Sequence, residues 1–150
     1  MHRLRLITVA LALTSGCRAR ERGLYRQCSR ATPEHVDGEW TPTLADVAAL
    51  ERELPAFLAA VDTESVFYGR LRPLGSFIRQ YGGFTRGGRR FIYASFSLPL
   101  PEEVRRELGP DSAAWRRWPT QVCDGGSGFF GLEYDVDRHR FGELHVNGVG

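Results

Sequence analysis

A glycine turn between two alternating segments strongly restricts the folds open to this chain. Residues 90–98 read Arg-Phe-Ile-Tyr-Ala-Ser-Phe-Ser-Leu, so every second side chain from Ile92 to Leu98 is apolar or small. Residues 77–82 also alternate, and Gly87-Gly88 lies between the two segments. A period of two with a glycine turn is typical of a β-hairpin. The sequence therefore predicts a hairpin that buries the face carrying Ile92.

A long helix is predicted before this hairpin. Thr43 can serve as the N-cap, and Asp46 three residues later completes an approximate capping box. Apolar residues then recur at helical spacing and form one stripe: Val47, Leu50, Leu54, Phe57, Leu58 and Val61. Pro55 removes one backbone donor, so we expect a kink or a restarted helix at that point.

Two further elements follow the first hairpin. Pro101, the acids after it and Gly109-Pro110 predict a short helix over residues 101–108. Residues 130–136 and 141–146 alternate on either side of a polar turn and predict a second hairpin. This order predicts an α+β domain with one long helix packed on an antiparallel sheet of about four strands. It resembles the cystatin-like arrangement.

The first residues of the chain have the pattern of an export signal. A short basic segment over residues 1–5 precedes an apolar run over residues 6–14. That run is too short to span a bilayer, which takes about 20 residues. The sequence therefore predicts a signal peptide over residues 1–16.

The end of this signal resembles the lipobox of bacterial lipoproteins, in the residues Leu13-Thr14-Ser15-Gly16-Cys17. The resemblance implies that Cys17 is diacylated and becomes the mature N-terminus, so that the membrane is a partner through a lipid anchor. Thr14 departs from the leucine usual in that family, and cleavage near Gly16 without lipidation is the alternative. By the same resemblance, Arg18 after the cysteine favours the outer membrane if the cell has one.

The remaining chain is predicted to form a tether over residues 17–38 and a single domain over residues 39–150. The tether is rich in arginine, and we interpret it as solvated, with contact to anionic lipid head groups as the alternative. Removal of residues 1–16 leaves 18 arginines against 18 acidic residues. A near-neutral protein gives no reason to expect a nucleic-acid partner.

Two further cysteines predict a disulfide. If Cys17 carries lipid, Cys28 and Cys123 form an even pair in an exported, oxidising setting. No close histidine or third cysteine accompanies them, which argues against a structural zinc site. The bond would tie the end of the tether to the start of the last hairpin.

Glycine-rich and acidic motifs near the second hairpin fit turns better than catalytic or metal sites. Residues 125–128 lack the helix that follows a phosphate-binding loop. Residues 135–146 lack the glycine and the final acid of an EF-hand. His145 could act as a general base beside Asp124 or Glu143, although a lone histidine on a strand is more often a surface residue. The sequence therefore predicts no catalytic residue, no metal site and no cofactor.

The remaining candidates for function are aromatic and arginine side chains with one acid. Tyrosine, tryptophan and arginine dominate binding hot spots, although they also fill small cores. The predicted binding residues are Arg79, Tyr81, Tyr93, Trp115 and Asp124.

Several short motifs resemble a group of short, exported bacterial proteins of uncharacterised function. The resemblance rests on the R-Q-Y-G-G segment at residues 79–83, the R-F-I-Y segment at 90–93, Trp115 and the C-D-G-G turn at 123–126. It extends through Tyr134-Asp135 to Phe141 and Asn147-Gly148 and covers roughly residues 75–148. It implies that these residues form one unit, and it implies no activity.

These features favour an exported envelope lipoprotein that acts as a non-enzymatic binding or assembly module with an envelope protein as partner. One alternative is a periplasmic enzyme or ligand-binding module with a pocket around Asp124, Tyr81, Arg79 and His145. Another alternative, from fold analogy alone, is an inhibitor of a secreted hydrolase.

Overall fold

The computed structural model describes residues 24–62, 66–67, 71–107 and 121–149. These residues form an α+β domain with an antiparallel sheet of five strands and one main helix. The strands are β1 (Gly38–Trp40), β2 (Ile78–Arg86), β3 (Arg89–Ser97), β4 (Phe129–Asp135) and β5 (Arg140–Val146). The helices are α1 (Leu44–Ala60) and α2 (Glu102–Glu107), with single 3-10 turns at Leu74–Ser76 and Gly126–Gly128.

The predicted α+β class with one long helix on an antiparallel sheet is confirmed, and the sheet has five strands where about four were predicted. The strand order is β1-β2-β3-β4-β5, with each neighbouring pair antiparallel. The additional strand, β1, has three residues, too few for an alternating pattern to show in the sequence. Trp40 holds this strand in place by donating from its indole nitrogen to the Phe84 carbonyl over 3.1 Å.

Helix α1 begins as its sequence predicts. Thr43 is the N-cap, and its hydroxyl accepts from the Asp46 backbone nitrogen over 3.2 Å. The Asp46 carboxylate accepts in return from the Thr43 nitrogen over 2.9 Å, which completes the capping box. Pro55 lies inside one helix that runs on to Ala60, so it does not restart the helix.

The main hydrophobic core lies between α1 and the first face of the sheet. Leu50, Leu54 and Leu58 of the helix are buried, as the stripe in the sequence predicted. The sheet contributes the predicted face of β3 and the matching face of β4: Ile92, Ala94, Phe96, Phe130, Leu132 and Tyr134. The Phe96 and Phe130 rings stack with centroids 4.4 Å apart. The long helix therefore covers one face of the sheet.

Both predicted hairpins are present. Gly87 and Gly88 connect β2 to β3 with φ of +57° and +73°, the left-handed conformation that a tight hairpin turn needs. The turn between β4 and β5 contains His139, which also has a positive φ of 50°. A register shift lies between Leu132 and Tyr134 where β4 pairs with β5.

The second face of the sheet is covered by residues 24–30, which we call the strap. Leu24 and Tyr25 are buried in a second apolar cluster with Phe84, Phe91 and Tyr93. The sequence predicted a solvated tether over residues 17–38, and within that range the strap differs by packing on the domain. Its arginine-rich composition indicated a solvated segment. The burial could not be anticipated, because the partners of the strap lie far away in the sequence.

Candidate functional site

The strap is fixed to the sheet by the buried side chain of Arg30, which is 7% exposed. Its guanidinium donates to three side chains: the Tyr93 hydroxyl at 3.0 Å, the Asn147 side-chain oxygen at 2.6 Å and the Ser95 hydroxyl at 2.9 Å. Tyr93 and Ser95 lie on β3, and Asn147 directly follows β5. One arginine therefore joins the strap to two strand regions.

All three acceptors of the Arg30 guanidinium are neutral. Among the described residues, no carboxylate lies within 4.0 Å of it. Burial raises the pKa of the Tyr93 hydroxyl, and the neighbouring Arg30 charge opposes that rise. A buried cation that is hydrogen-bonded only to neutral groups has lost its hydration without gaining a carboxylate in direct contact.

Asn147 connects the strap to the loop before β4. It is fully buried, and its side-chain nitrogen donates to the Val122 carbonyl at 2.6 Å and to the Asp124 carbonyl at 2.9 Å. The same side chain accepts from Arg30 through its oxygen. Asn147 therefore satisfies groups from the strap and from the loop at once.

The predicted disulfide between Cys28 and Cys123 is present and closes a sequence separation of 95 residues, with 5.0 Å between the two Cα atoms. Both cysteines lie in exposed positions. Beside the bond, the Gln121 side chain donates to the Arg26 carbonyl at 2.6 Å. The strap is thus fastened to the loop before β4 by one covalent bond and by hydrogen bonds.

Two glycines of the sheet provide the space that aromatic rings of the second face occupy. A Cβ atom at Gly82 would lie 2.6 Å from the Tyr25 hydroxyl oxygen. A Cβ atom at Gly131 would overlap the Tyr93 hydroxyl. The Tyr25 and Phe84 rings meet edge to face with centroids 5.9 Å apart. Close packing of the strap on the sheet depends on these glycines.

Arg79 and Tyr81, two of the predicted binding residues, lie on the first face of the sheet. Both side chains bond the Glu51 carboxylate of α1, and Arg79 also donates to the Leu74 carbonyl at 2.9 Å. Burial, followed by the neighbouring Glu51 charge, raises the pKa of the Tyr81 hydroxyl. These two residues therefore connect β2 to the helix.

The other predicted site residues are placed elsewhere. Tyr93 lies on the second face and bonds Arg30, whereas Asp124 is exposed in the loop before β4. Trp115 and Cys17 fall outside the described residues. His145 pairs with Gly131 across β4 and β5, on the second face, and its ring nitrogen lies 3.0 Å from the Glu143 carboxylate. The fold does not bring Arg79 and Tyr81 together with His145, because the sheet separates them.

A cluster of Glu53, Tyr134 and His139 joins α1 to the turn between β4 and β5. The Tyr134 hydroxyl donates to Glu53 at 2.8 Å and lies 2.9 Å from His139 Nδ1, which is 3.1 Å from the Glu53 carboxylate. Burial acts to raise the pKa of Glu53, but the hydrogen bonds with Tyr134 and His139, together with the charge interactions with His139 and Arg52, outweigh it and leave that pKa below its ordinary value.

Sequence reasoning did not single out this cluster, nor did it assign roles to Arg30 and Asn147. Tyr134 belongs to the alternating pattern of β4, which predicts burial. No neighbouring residue in the sequence indicates that its hydroxyl bonds Glu53 of α1. The pairing of Arg30 with Asn147 spans 117 residues. The sole local signal was the nearby Cys28, which indicated that this part of the chain meets residue 123.

The described residues contain no group of three or more His, Cys, Asp and Glu side chains placed to hold a metal ion. None of the helices in the described part of the chain has the length and apolar character needed to cross a bilayer.

Comparison with known proteins gives no relative from which a role could be transferred. The chain matches no protein-family model, no curated protein and no solved structure. The resemblance of its motifs to short exported proteins and the cystatin-like arrangement both stay predictions.

Proposed function

We propose that this chain is an exported, lipid-anchored envelope protein whose domain is a non-enzymatic binding or assembly module. The observation that carries the proposal is the Cys28–Cys123 disulfide, because structural disulfides persist mainly in oxidising compartments outside the cytosol. The signal pattern over residues 1–16 and the lipobox-like segment ending in Cys17 agree with that compartment.

The arrangement of the polar side chains supports a binding role over catalysis. Arg79 and Tyr81 are engaged by Glu51, and Tyr93 is engaged by Arg30. Groups that are held by structural partners are not presented to a substrate. Asp124, by contrast, is exposed beside the disulfide, so we propose that the partner, another envelope protein, contacts the loop around it.

Lipid attachment is tested by growing cells that express the full-length chain with radiolabelled palmitate and following label and membrane fractionation. We expect label on the wild-type protein and none on Cys17→Ser, which should leave the membrane fraction. Cys28→Ser serves as the control, because loss of the disulfide should leave the label in place. A wild-type protein without label would contradict the lipid anchor.

Binding is tested by cross-linking the tagged protein in intact envelopes and isolating it after detergent solubilisation. We expect a defined partner that is reduced at least several-fold in Asp124→Ala. Glu103→Ala, which changes an exposed acid on α2, is the matched control and should retain the partner. Equal recovery of the partner with both variants would place the contact away from the Asp124 loop.

A further inference from the structure

The strap covers an aromatic surface that the sheet would otherwise expose. Leu24 and Tyr25 shield Phe84, Phe91 and Tyr93 on the second face. The first face is covered independently by α1. Removal of the strap would therefore open one face while leaving the main core intact.

Docking of the strap on the sheet also removes polar groups from water, which carries a cost at two residues. Arg30 brings a positive charge into a buried position where its three acceptors are neutral. The Gln27 side-chain nitrogen and oxygen are both buried, and neither has a hydrogen-bond partner among the described residues. Buried polar groups without partners cost the full loss of their hydration. Burial of Leu24 and Tyr25 and the three hydrogen bonds donated by Arg30 favour docking, and these desolvation costs offset part of that gain.

The disulfide adds a covalent constraint to the non-covalent contacts between the strap and the sheet. By joining Cys28 in the middle of the strap to Cys123, it keeps the strap at a high effective concentration beside its docking surface. Both cysteines are exposed, so an attacking thiolate can reach the bond. Exposed disulfides are the ones that exchange readily.

We propose that the Cys28–Cys123 disulfide is a redox-operated latch on the strap. A protein dithiol of the exported compartment would reduce it. One thiolate of the dithiol attacks a sulfur of the Cys28–Cys123 bond and forms a mixed disulfide, and the second thiolate then attacks that mixed disulfide. The dithiol ends as a disulfide, and Cys28 and Cys123 end as thiols. The strap then leaves the sheet and exposes Phe84, Phe91 and Tyr93. The latch rests on the proposed export for its reductant but not on lipidation of Cys17, so a failed palmitate-labelling test would leave it intact.

Trypsin can test the latch because it cleaves after arginine and Arg30 lies in the strap. The purified protein is reduced with dithiothreitol, blocked with iodoacetamide, and freed of reagent before a brief digestion, beside an untreated sample. Mass spectrometry then measures cleavage after Arg30. We expect its rate to rise about tenfold or more on reduction, since local opening governs proteolysis.

Arg79 is the internal control, because it lies on β2 and bonds Glu51 of α1 on the opposite face. Its cleavage should stay slow in both samples. The Cys28→Ser/Cys123→Ser variant should behave like the reduced protein without any alkylation. Unchanged protection of Arg30 would overturn the latch, and so would equal acceleration at Arg30 and Arg79, which would mean that reduction unfolds the whole domain.

Discussion

Gly131 illustrates how a single residue determines what can pack on the second face. It lies on β4, and a side chain there would occupy the position of the Tyr93 hydroxyl. That hydroxyl accepts from Arg30 and so helps to hold the strap. Gly131 therefore leaves the room that the Tyr93 hydroxyl needs in order to accept from Arg30.

Gly131→Ala should lower the free energy of unfolding by about 1–3 kcal/mol, because the added methyl group overpacks the space used by Tyr93. Urea denaturation followed by circular dichroism measures the change. Gly75→Ala is the matched control, since a Cβ atom there would meet nothing within 4 Å. Equal stability of the two variants would contradict the steric argument.

At the scale of elements, the start of α1 is set by the reciprocal bonds between Thr43 and Asp46. The hydrogen bond from the Thr43 side chain is the largest cause that holds the pKa of Asp46 below its ordinary value. Thr43→Ala should therefore destabilise the protein by about 1 kcal/mol near neutral pH.

The same cap predicts a pH dependence with a defined sign. A carboxyl whose pKa is lower in the folded state stabilises that state above its unfolded pKa of about 4, and this contribution is lost as the pH falls through the folded value. Thr43→Ala should thus cost less stability at the lowest pH at which the protein remains folded than at pH 7. NMR titration should show the pKa of Asp46 rising in the variant. An unchanged pKa would mean that Thr43 does not stabilise the carboxylate.

A second contact between elements joins α1 to the turn before β5 through Tyr134, which is fully buried. Tyr134→Phe keeps the ring but removes the hydroxyl that donates to Glu53. We expect a loss of about 1–2 kcal/mol in the free energy of unfolding and a rise in the pKa of Glu53. Urea denaturation and NMR titration measure the two effects. Tyr25→Phe, which changes the other face, should leave the pKa of Glu53 unaltered.

At the scale of the whole molecule, the disulfide limits the freedom of most of the unfolded domain. Its loop of 95 residues is long, and the chain-entropy model assigns about 4–5 kcal/mol to such a closure as an upper value. Cys28→Ser/Cys123→Ser should lower the free energy of unfolding by about 2–4 kcal/mol while α1 and the sheet still form. Denaturation with and without reductant measures this change, and a wild-type protein insensitive to reductant would contradict it.

Much of this molecule could be predicted from the sequence because its elements depend on near neighbours. The Thr43–Asp46 cap, the leucine stripe of α1, the Gly87-Gly88 turn and the buried face of β3 follow from spacings of two to four residues. The candidate site was less predictable. Arg79, Tyr81 and Tyr93 were selected for their chemistry, and the fold uses all three in structural contacts.

Local patterns were enough to predict the α+β class, the long helix and both hairpins, and the even pair of cysteines was enough to predict the covalent bond between Cys28 and Cys123. The packing of residues 24–30 on the second face and the burial of Arg30 there are seen only in the folded chain. The physical reason is the sequence distance of the partners. Arg30 contacts side chains 63, 65 and 117 residues away, and no local pattern of apolar residues, caps or turns encodes a contact of that range.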